Sequence, residues 1–192
     1  MLQAGLHNLR QASVRITEVS PRDGLQHESE FVPTLRKISL INALSRTGVT
    51  EIEAGSFVSP AAIPQLADSD EVLRAIDRIP GVAYSALVPN ERGLERARAA
   101  GVDKIAVFTA ASNSFTRHNI KATVQESLVR FRPIVAAAKR DGMAVRAYLS
   151  TVVFCPYEGR IAPTQVRDVM ERLLDLAVDD ISLGETVGKA SP

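Results

Sequence analysis

The chain has 192 residues, 45% of them hydrophobic, with 23 basic against 22 acidic side chains and a formal net charge of +1. That balance argues against nucleic acid or an anionic membrane as the main partner, since both demand a basic excess or a basic face, and no stretch reaches the roughly 18 apolar residues of a membrane span. The single Cys155 rules out an intrachain disulfide framework and a multi-cysteine zinc site, which fits a reducing, cytoplasmic setting.

Residues 1–13 carry Arg10 and no acid but lack the apolar core of a secretory signal. They read as a flexible leader, with a vestigial transit peptide as the alternative. A short strand follows, with Val14, Ile16 and Val19 as its apolar content. Pro21 stops it, and Gly24 lets the chain turn tightly or take positive φ just after Arg22 and Asp23. Taken alone, that charged pair reads as a solvated turn.

Leu35, Ile38, Ile41 and Leu44 recur at helical spacing across 33–47, between Pro33 and Gly48. A second strand spans 50–55, a helix 69–78, a third strand 82–88, a short helix 91–100 and a fourth strand 103–109. The last is a nearly continuous apolar run of the kind that parallel sheets bury on both faces. Residues 110–119 read as polar and irregular. The longest helix spans 121–140, bent or split at Pro133, and a fifth strand covers 144–152. A loop at 154–161, a helix at 163–176 and a sixth strand at 179–183 complete the pattern.

Six strands alternating with helices predict a parallel α/β sheet, either open and doubly wound or closed as a (β/α) barrel. No Gly-rich phosphate loop follows the first strand. Polar groups do recur at strand C-terminal ends: Arg22 and Asp23, Glu53 and Ser56, Asn90, Thr109, Ser150 and Glu185. In a barrel these ends converge on one mouth. The expectation is therefore a TIM barrel over residues 14–192, with about six of its eight βα units present.

Five segments carry a specific resemblance: Ser20-Pro21-Arg22-Asp23-Gly24-Leu25-Gln26, Ile52-Glu53-Ala54-Gly55-Ser56-Phe57-Val58-Ser59-Pro60, Val145-Arg146-Ala147-Tyr148, Cys155-Pro156-Tyr157-Glu158-Gly159 and Ile181-Ser182-Leu183-Gly184-Glu185-Thr186-Val187-Gly188. In order and spacing they resemble the hydroxymethylglutaryl-CoA lyase family, a branch of a metal-dependent TIM-barrel superfamily that also holds acyl-CoA condensing synthases. The Arg-Asp pair marks the superfamily, and the second and fourth segments mark the lyase branch.

The resemblance implies cleavage of 3-hydroxy-3-methylglutaryl-CoA to acetoacetate and acetyl-CoA, a retro-Claisen step of leucine degradation and ketone-body metabolism. It implies an acyl-CoA substrate, a divalent cation (Mg2+ or Mn2+) with Asp23 as a hard oxygen ligand, Arg22 at the thioester oxygen, and Glu53 orienting Arg22 or a metal-bound water. Gln26, Ser56, Arg146, Tyr148, Ser182 and Glu185 match family positions near the substrate, each as a contact or a support. Two departures stand out: the family has Asp where this chain has Glu185, and a small residue where it has Lys189. The family's paired metal histidines and catalytic cysteine fall on and after a seventh strand, beyond Pro192. Cys155 is therefore read as structural, and His7, His27 and His118 are not read as ligands. No Lys ends a predicted strand, which disfavours a Schiff base.

The resemblance further implies a homodimer; the single cysteine implies the cytoplasm, with the mitochondrial matrix as the lesser alternative. The resemblance also implies a truncated stretch of a longer enzyme that is inactive by itself. A condensing synthase, a lyase for a bulkier 3-hydroxyglutaryl-CoA and a non-catalytic barrel remnant are the alternatives.

Overall fold

In the computed structural model, which describes residues 14–190, helices and strands begin and end where local chemistry dictates. The expected leader at 1–13 lies outside the described residues. The elements in chain order are β1 (Thr17–Glu18), α1 (Thr34–Leu44), β2 (Glu51–Ser56), α2 (Ser69–Ala75), β3 (Ala83–Leu87), α3 (Glu91–Ala99), β4 (Lys104–Ala110), α4 (Asn113–Ile120), α5 (Val124–Arg140), β5 (Ala144–Ser150), β6 (Phe154–Cys155), β7 (Gly159–Arg160), α6 (Pro163–Leu174) and β8 (Asp180–Leu183). Asn90 caps α3 by accepting from Gly93 N at 2.8 Å. Thr123 and Glu126 form a reciprocal capping box that starts α5.

Four expectations are corrected or narrowed. Residues 110–119 are not irregular, because Ser112 caps α4 by accepting from Phe115 N at 3.1 Å. The loop at 154–161 contains the antiparallel β6–β7 hairpin. Pro133 does not split α5, which is one element from Val124 to Arg140. A proline there removes a helical hydrogen bond, and the buried face of Leu128, Phe131, Ile134, Val135 and Ala138 offsets the loss by packing on the sheet. The first strand is also shorter than expected, at two residues.

Six strands form one parallel sheet in the order β1-β2-β3-β4-β5-β8. That order never reverses, as it would at the switch point of a doubly wound sheet. The sheet also curls. Arg146 Nη1 on β5 donates to Thr17 Oγ1 on β1 at 3.0 Å, although strands four places apart in a flat sheet lie about 19 Å from each other. This is the curvature of a TIM-type barrel, of which the described residues form six strands.

The helix-facing side of the sheet is apolar, with Ile52, Ile105, Val107, Val145, Ala147 and Leu149 fully buried. The inner side is ionic near the N-terminal strand ends. Glu51 on β2, Lys104 on β4 and Asp180 on β8 come from alternate strands, as the side chains of one barrel layer do. Lys104 Nζ donates to Glu51 Oε2 at 3.1 Å and to Asp180 Oδ2 at 2.6 Å. Arg146 Nε donates to Asp180 Oδ1 at 2.5 Å. Its Nη1 lies 3.0 Å from Glu51 Oε1 as an ion pair without hydrogen-bond alignment. Burial opposes ionisation of Asp180, but bonds from Arg146 and Lys104 hold its carboxyl below the usual range.

Removing one partner of a buried pair leaves the other charged and unmatched. Lys104→Met is expected to lower the unfolding free energy by about 3 kcal/mol in urea titrations. Arg46→Ala, which breaks an exposed pair with Asp77, is expected to change it by less than about 0.5 kcal/mol. Equal effects would contradict the buried network.

Candidate functional site

Beyond Glu18 the chain does not continue as a strand, because Pro21 has no N–H to give to a ladder. It forms a single π-helical turn, Ser20–Gly24, opened by Ser20 N donating to Glu18 Oε1 at 2.8 Å. Asp23 N closes back on Val19 O at 2.7 Å, and Leu25 N reaches Ser20 O. Such wide turns recur at functional sites. Of the two expectations for Gly24, a tight turn or a positive φ, the turn is the one seen, with an ordinary φ. A Cβ there would lie 3.4 Å from the Ser20 Cβ.

Glu53 comes from β2, where the register with β3 slips between Glu53 and Gly55 and leaves Ala54 as an extra residue. The carboxylate is fully buried, and both its oxygens are engaged. Oε1 accepts from Arg22 Nε, and Oε2 accepts from the Tyr148 hydroxyl on β5 at 2.7 Å. Arg22 Nη1 also donates to Asp23 Oδ1 at 2.6 Å, and the guanidinium carbon lies 5.6 Å from the centre of the Tyr148 ring. Burial works against the charge on Arg22, but Glu53 and then Asp23 outweigh it and hold the guanidinium above its ordinary value. Burial, with the charge of Glu53, pushes the Tyr148 phenol well above the usual tyrosine range.

Arg22, Asp23 and Gln26 line a cavity of about 840 Å³. Leu87, Phe108, Phe115 and Phe131 supply apolar walls, and Asn90, Asn119 and Arg130 supply polar groups. The Asp23 side chain is half exposed, and its second oxygen has no protein donor among the hydrogen bonds of the described residues.

The other sequence-predicted residues are distributed more widely. Arg146 lies one layer below Tyr148, in the ionic interior. Ser56 is buried, and its hydroxyl accepts from Val58 N at 3.3 Å, which shapes the turn after β2. Ser182 is in register with Tyr148 across β5 and β8. Glu185 follows Gly184 on the cavity rim, with Oε2 accepting from Gly188 N and Oε1 buried without a hydrogen-bond partner among the described residues. Cys155 is buried with its Sγ 3.0 Å from Ser112 Oγ. The sequence reading missed Phe115 and Asn119, which α4 brings to the cavity. The N-cap at Ser112 was the available signal.

A fixed guanidinium on the wall of a largely apolar cavity can neutralise charge that develops on a ligand oxygen. A divalent cation of the hard type takes about six oxygen ligands. Asp23 fits as one of them, and no group of three or more His, Cys, Asp or Glu side chains converges among the described residues.

The profile of the HMGL-like family matches residues 13–192. The mitochondrial hydroxymethylglutaryl-CoA lyase of Bos taurus is 49% identical over 179 residues, covering 93% of this chain and 55% of that protein. The crystal structure of the HMG-CoA lyase from Brucella melitensis superposes with a TM-score of 0.92 at 52% identity, over 93% of this chain and 63% of its own. An HMG-CoA lyase from Acinetobacter baumannii, in complex with coenzyme A and 3-methylmalate, gives 0.89 at 40% identity, over 93% and 58%. The chain thus spans about half to three-fifths of the length of the curated relatives it matches. Those relatives include proteins named as mitochondrial and as cytoplasmic.

Tyr148→Phe deprives a buried Glu53 oxygen of its donor and is expected to lower stability by about 1–3 kcal/mol. The phenol favours its neutral form when folded, so it contributes stability below the ordinary tyrosine range that is lost as pH rises through it. Alkaline melts of the wild type should therefore fall more steeply than those of Tyr148→Phe. Parallel curves would contradict the shift.

Proposed function

The chain belongs to the HMGL-like family, and we propose that it supplies the enolate-stabilising half of a site that cleaves 3-hydroxy-3-methylglutaryl-CoA to acetoacetate and acetyl-CoA. The observation that carries this reading is the Arg22 guanidinium held by Glu53 and Asp23 on the wall of a largely apolar cavity. The coenzyme A seen in the Acinetobacter baumannii relative supports a thioester as the ligand.

In a retro-Claisen cleavage the tertiary hydroxyl loses its proton and becomes the ketone of acetoacetate. The carbon–carbon bond breaks, and its electron pair passes to the acetyl-CoA enolate, which then takes up a proton. Arg22 is placed to hold the thioester oxygen on which that negative charge collects. It needs little reorganisation to do so, because Glu53 and Asp23 already fix two of its nitrogens. Tyr148 orients Glu53 from the far side. The phenylalanine-lined walls keep water from the enolate, which strengthens the Arg22 interaction.

A divalent cation, Mg2+ or Mn2+, supplies acidification of the substrate hydroxyl when bound. Asp23 is the oxygen ligand that the described residues offer it. Gln26 on the cavity wall is assigned to the carboxylate end of the substrate, and Ser56, Arg146, Ser182 and Glu185 to support of the strand ends. The place of the reaction in leucine degradation and ketone-body metabolism goes with the substrate. A cytoplasmic setting rests on the single cysteine and near-neutral charge, and a homodimer rests on the family resemblance alone.

Calorimetric titration of the chain with 3-hydroxy-3-methylglutaryl-CoA, with Mg2+ or Mn2+ present, tests the reading. Binding is expected, and Arg22→Met is expected to weaken it by about tenfold, the value of one hydrogen bond to a charged donor. With one hard ligand on the described residues, little or no acetoacetate release is expected from the chain alone. Affinity indifferent to Arg22→Met, or robust acetoacetate release that persists on chelation, overturns the proposal.

A further inference from the structure

Lys37 is a lysine in the first turns of α1 with only 3% of its surface exposed. Burying an ammonium costs several kcal/mol unless its protons find partners, and here all the partners lie on two mouth loops. Its Nζ donates to Asp68 Oδ1 at 2.6 Å and to Gln65 O at 2.5 Å, both in the segment between β2 and α2. It also sits 4.2 Å from the centre of the Phe31 ring, in the segment between β1 and α1.

The same two segments are joined a second time, and the start of α1 is tied to Asp68 as well. Gln65 Nε2 donates to Glu28 O at 2.9 Å. Thr34 Oγ1 donates to Asp68 Oδ2 at 2.8 Å, so neither carboxylate oxygen of Asp68 is free to turn away. Both segments also line the cavity: Gln26 and His27 belong to the first, and Val58, Ala62 and Ile63 to the second. Neither has a strand or an α-helix of its own to hold it. The second has only a short 3-10 turn, Pro64–Leu66.

We propose that Lys37 is a positioning residue that locks the β1–α1 and β2–α2 loops into one rigid wall and so sets the cavity against Arg22 and Asp23. It touches no ligand itself. The charge is buried because the loops come from neighbouring strands and have no ladder in common, and a single ammonium with two oxygen acceptors and an aromatic face bridges them. That the wall serves a CoA thioester rests on the function proposed above; the lock itself does not.

Hydrogen exchange by mass spectrometry on the full chain tests this. Lys37→Met is expected to raise exchange roughly ten- to a hundredfold, the opening expected from losing one or two bonds to a charged donor. The rise should appear together at amides of both loops, such as Glu28, Ile63 and Leu66, while β4 amides stay at wild-type rates. Binding of CoA, measured by calorimetry, should weaken by about tenfold. Should Lys37→Met not fold, Asp68→Asn, which leaves the Gln65 and Phe31 contacts, is expected to show the same pattern at smaller amplitude.

Exchange that rises in one loop only, in neither, or throughout the sheet overturns the lock. Unchanged CoA affinity alongside the two-loop pattern overturns the positioning role. If the wild type binds no CoA, the failure falls on the proposed function, and the exchange pattern still decides the lock.

Discussion

A carboxylate removed from water must find a donor for each oxygen, and Glu53 finds one on either side of the barrel interior. That requirement fixes much else. Arg22 has to leave β1 on a wide turn that aims it inward, and Tyr148 has to stand on a strand curled far enough to reach β2. The curl in turn brings β5 close to β1 and creates the mouth on which Asp23 and Gln26 sit. A flatter sheet would leave Glu53 half-satisfied, at a penalty of about 1–3 kcal/mol for the unmade bond.

The same logic runs through the layer below. Barrel interiors are dominated by branched apolar side chains, whereas this one holds Glu51, Lys104, Arg146 and Asp180 in a matched set of two acids and two bases. Ion pairs of this kind add little stability over an apolar filling, but they are directional. Arg146 meets β8, β2 and β1 at once, which fixes the rotation of β5 and therefore the aim of Tyr148 one layer above. Rigidity at the mouth is inherited from below.

Much of this was legible in the sequence, for physical reasons that differ from element to element. A helix with a clear apolar face and proline punctuation, such as α6, was readable because its periodicity and its packing agree; α1 was readable from its punctuation, although Leu35 on its apolar face is exposed. The apolar run of β4 announced a strand buried on both faces. What stayed hidden depended on partners far away in the chain. The sequence around 110–119 is polar because α4 turns one face to solvent, and its helical signal was a single capping serine. Pro133 read as a bend or a split, and nothing local reveals the sheet that holds α5 in one piece. Arg22 and Asp23 were recognisable as a motif, but that Glu53 would be shared with Tyr148 rests on a contact between residues 95 positions apart. Lys37 gave no sign at all, since a lysine in an amphipathic helix is normally solvated.

Strand order also governs when parts of the structure can exist. Each strand up to β5 pairs with the one made just before it, so the growing chain can dock one βα unit after another as it leaves the ribosome, with short loops to close. The ionic interior follows a different clock. Thr17 waits 129 residues for Arg146, and Lys104 waits 76 for Asp180. During synthesis the buried charges of Glu51 and Lys104 must therefore remain hydrated in a sheet not yet rolled.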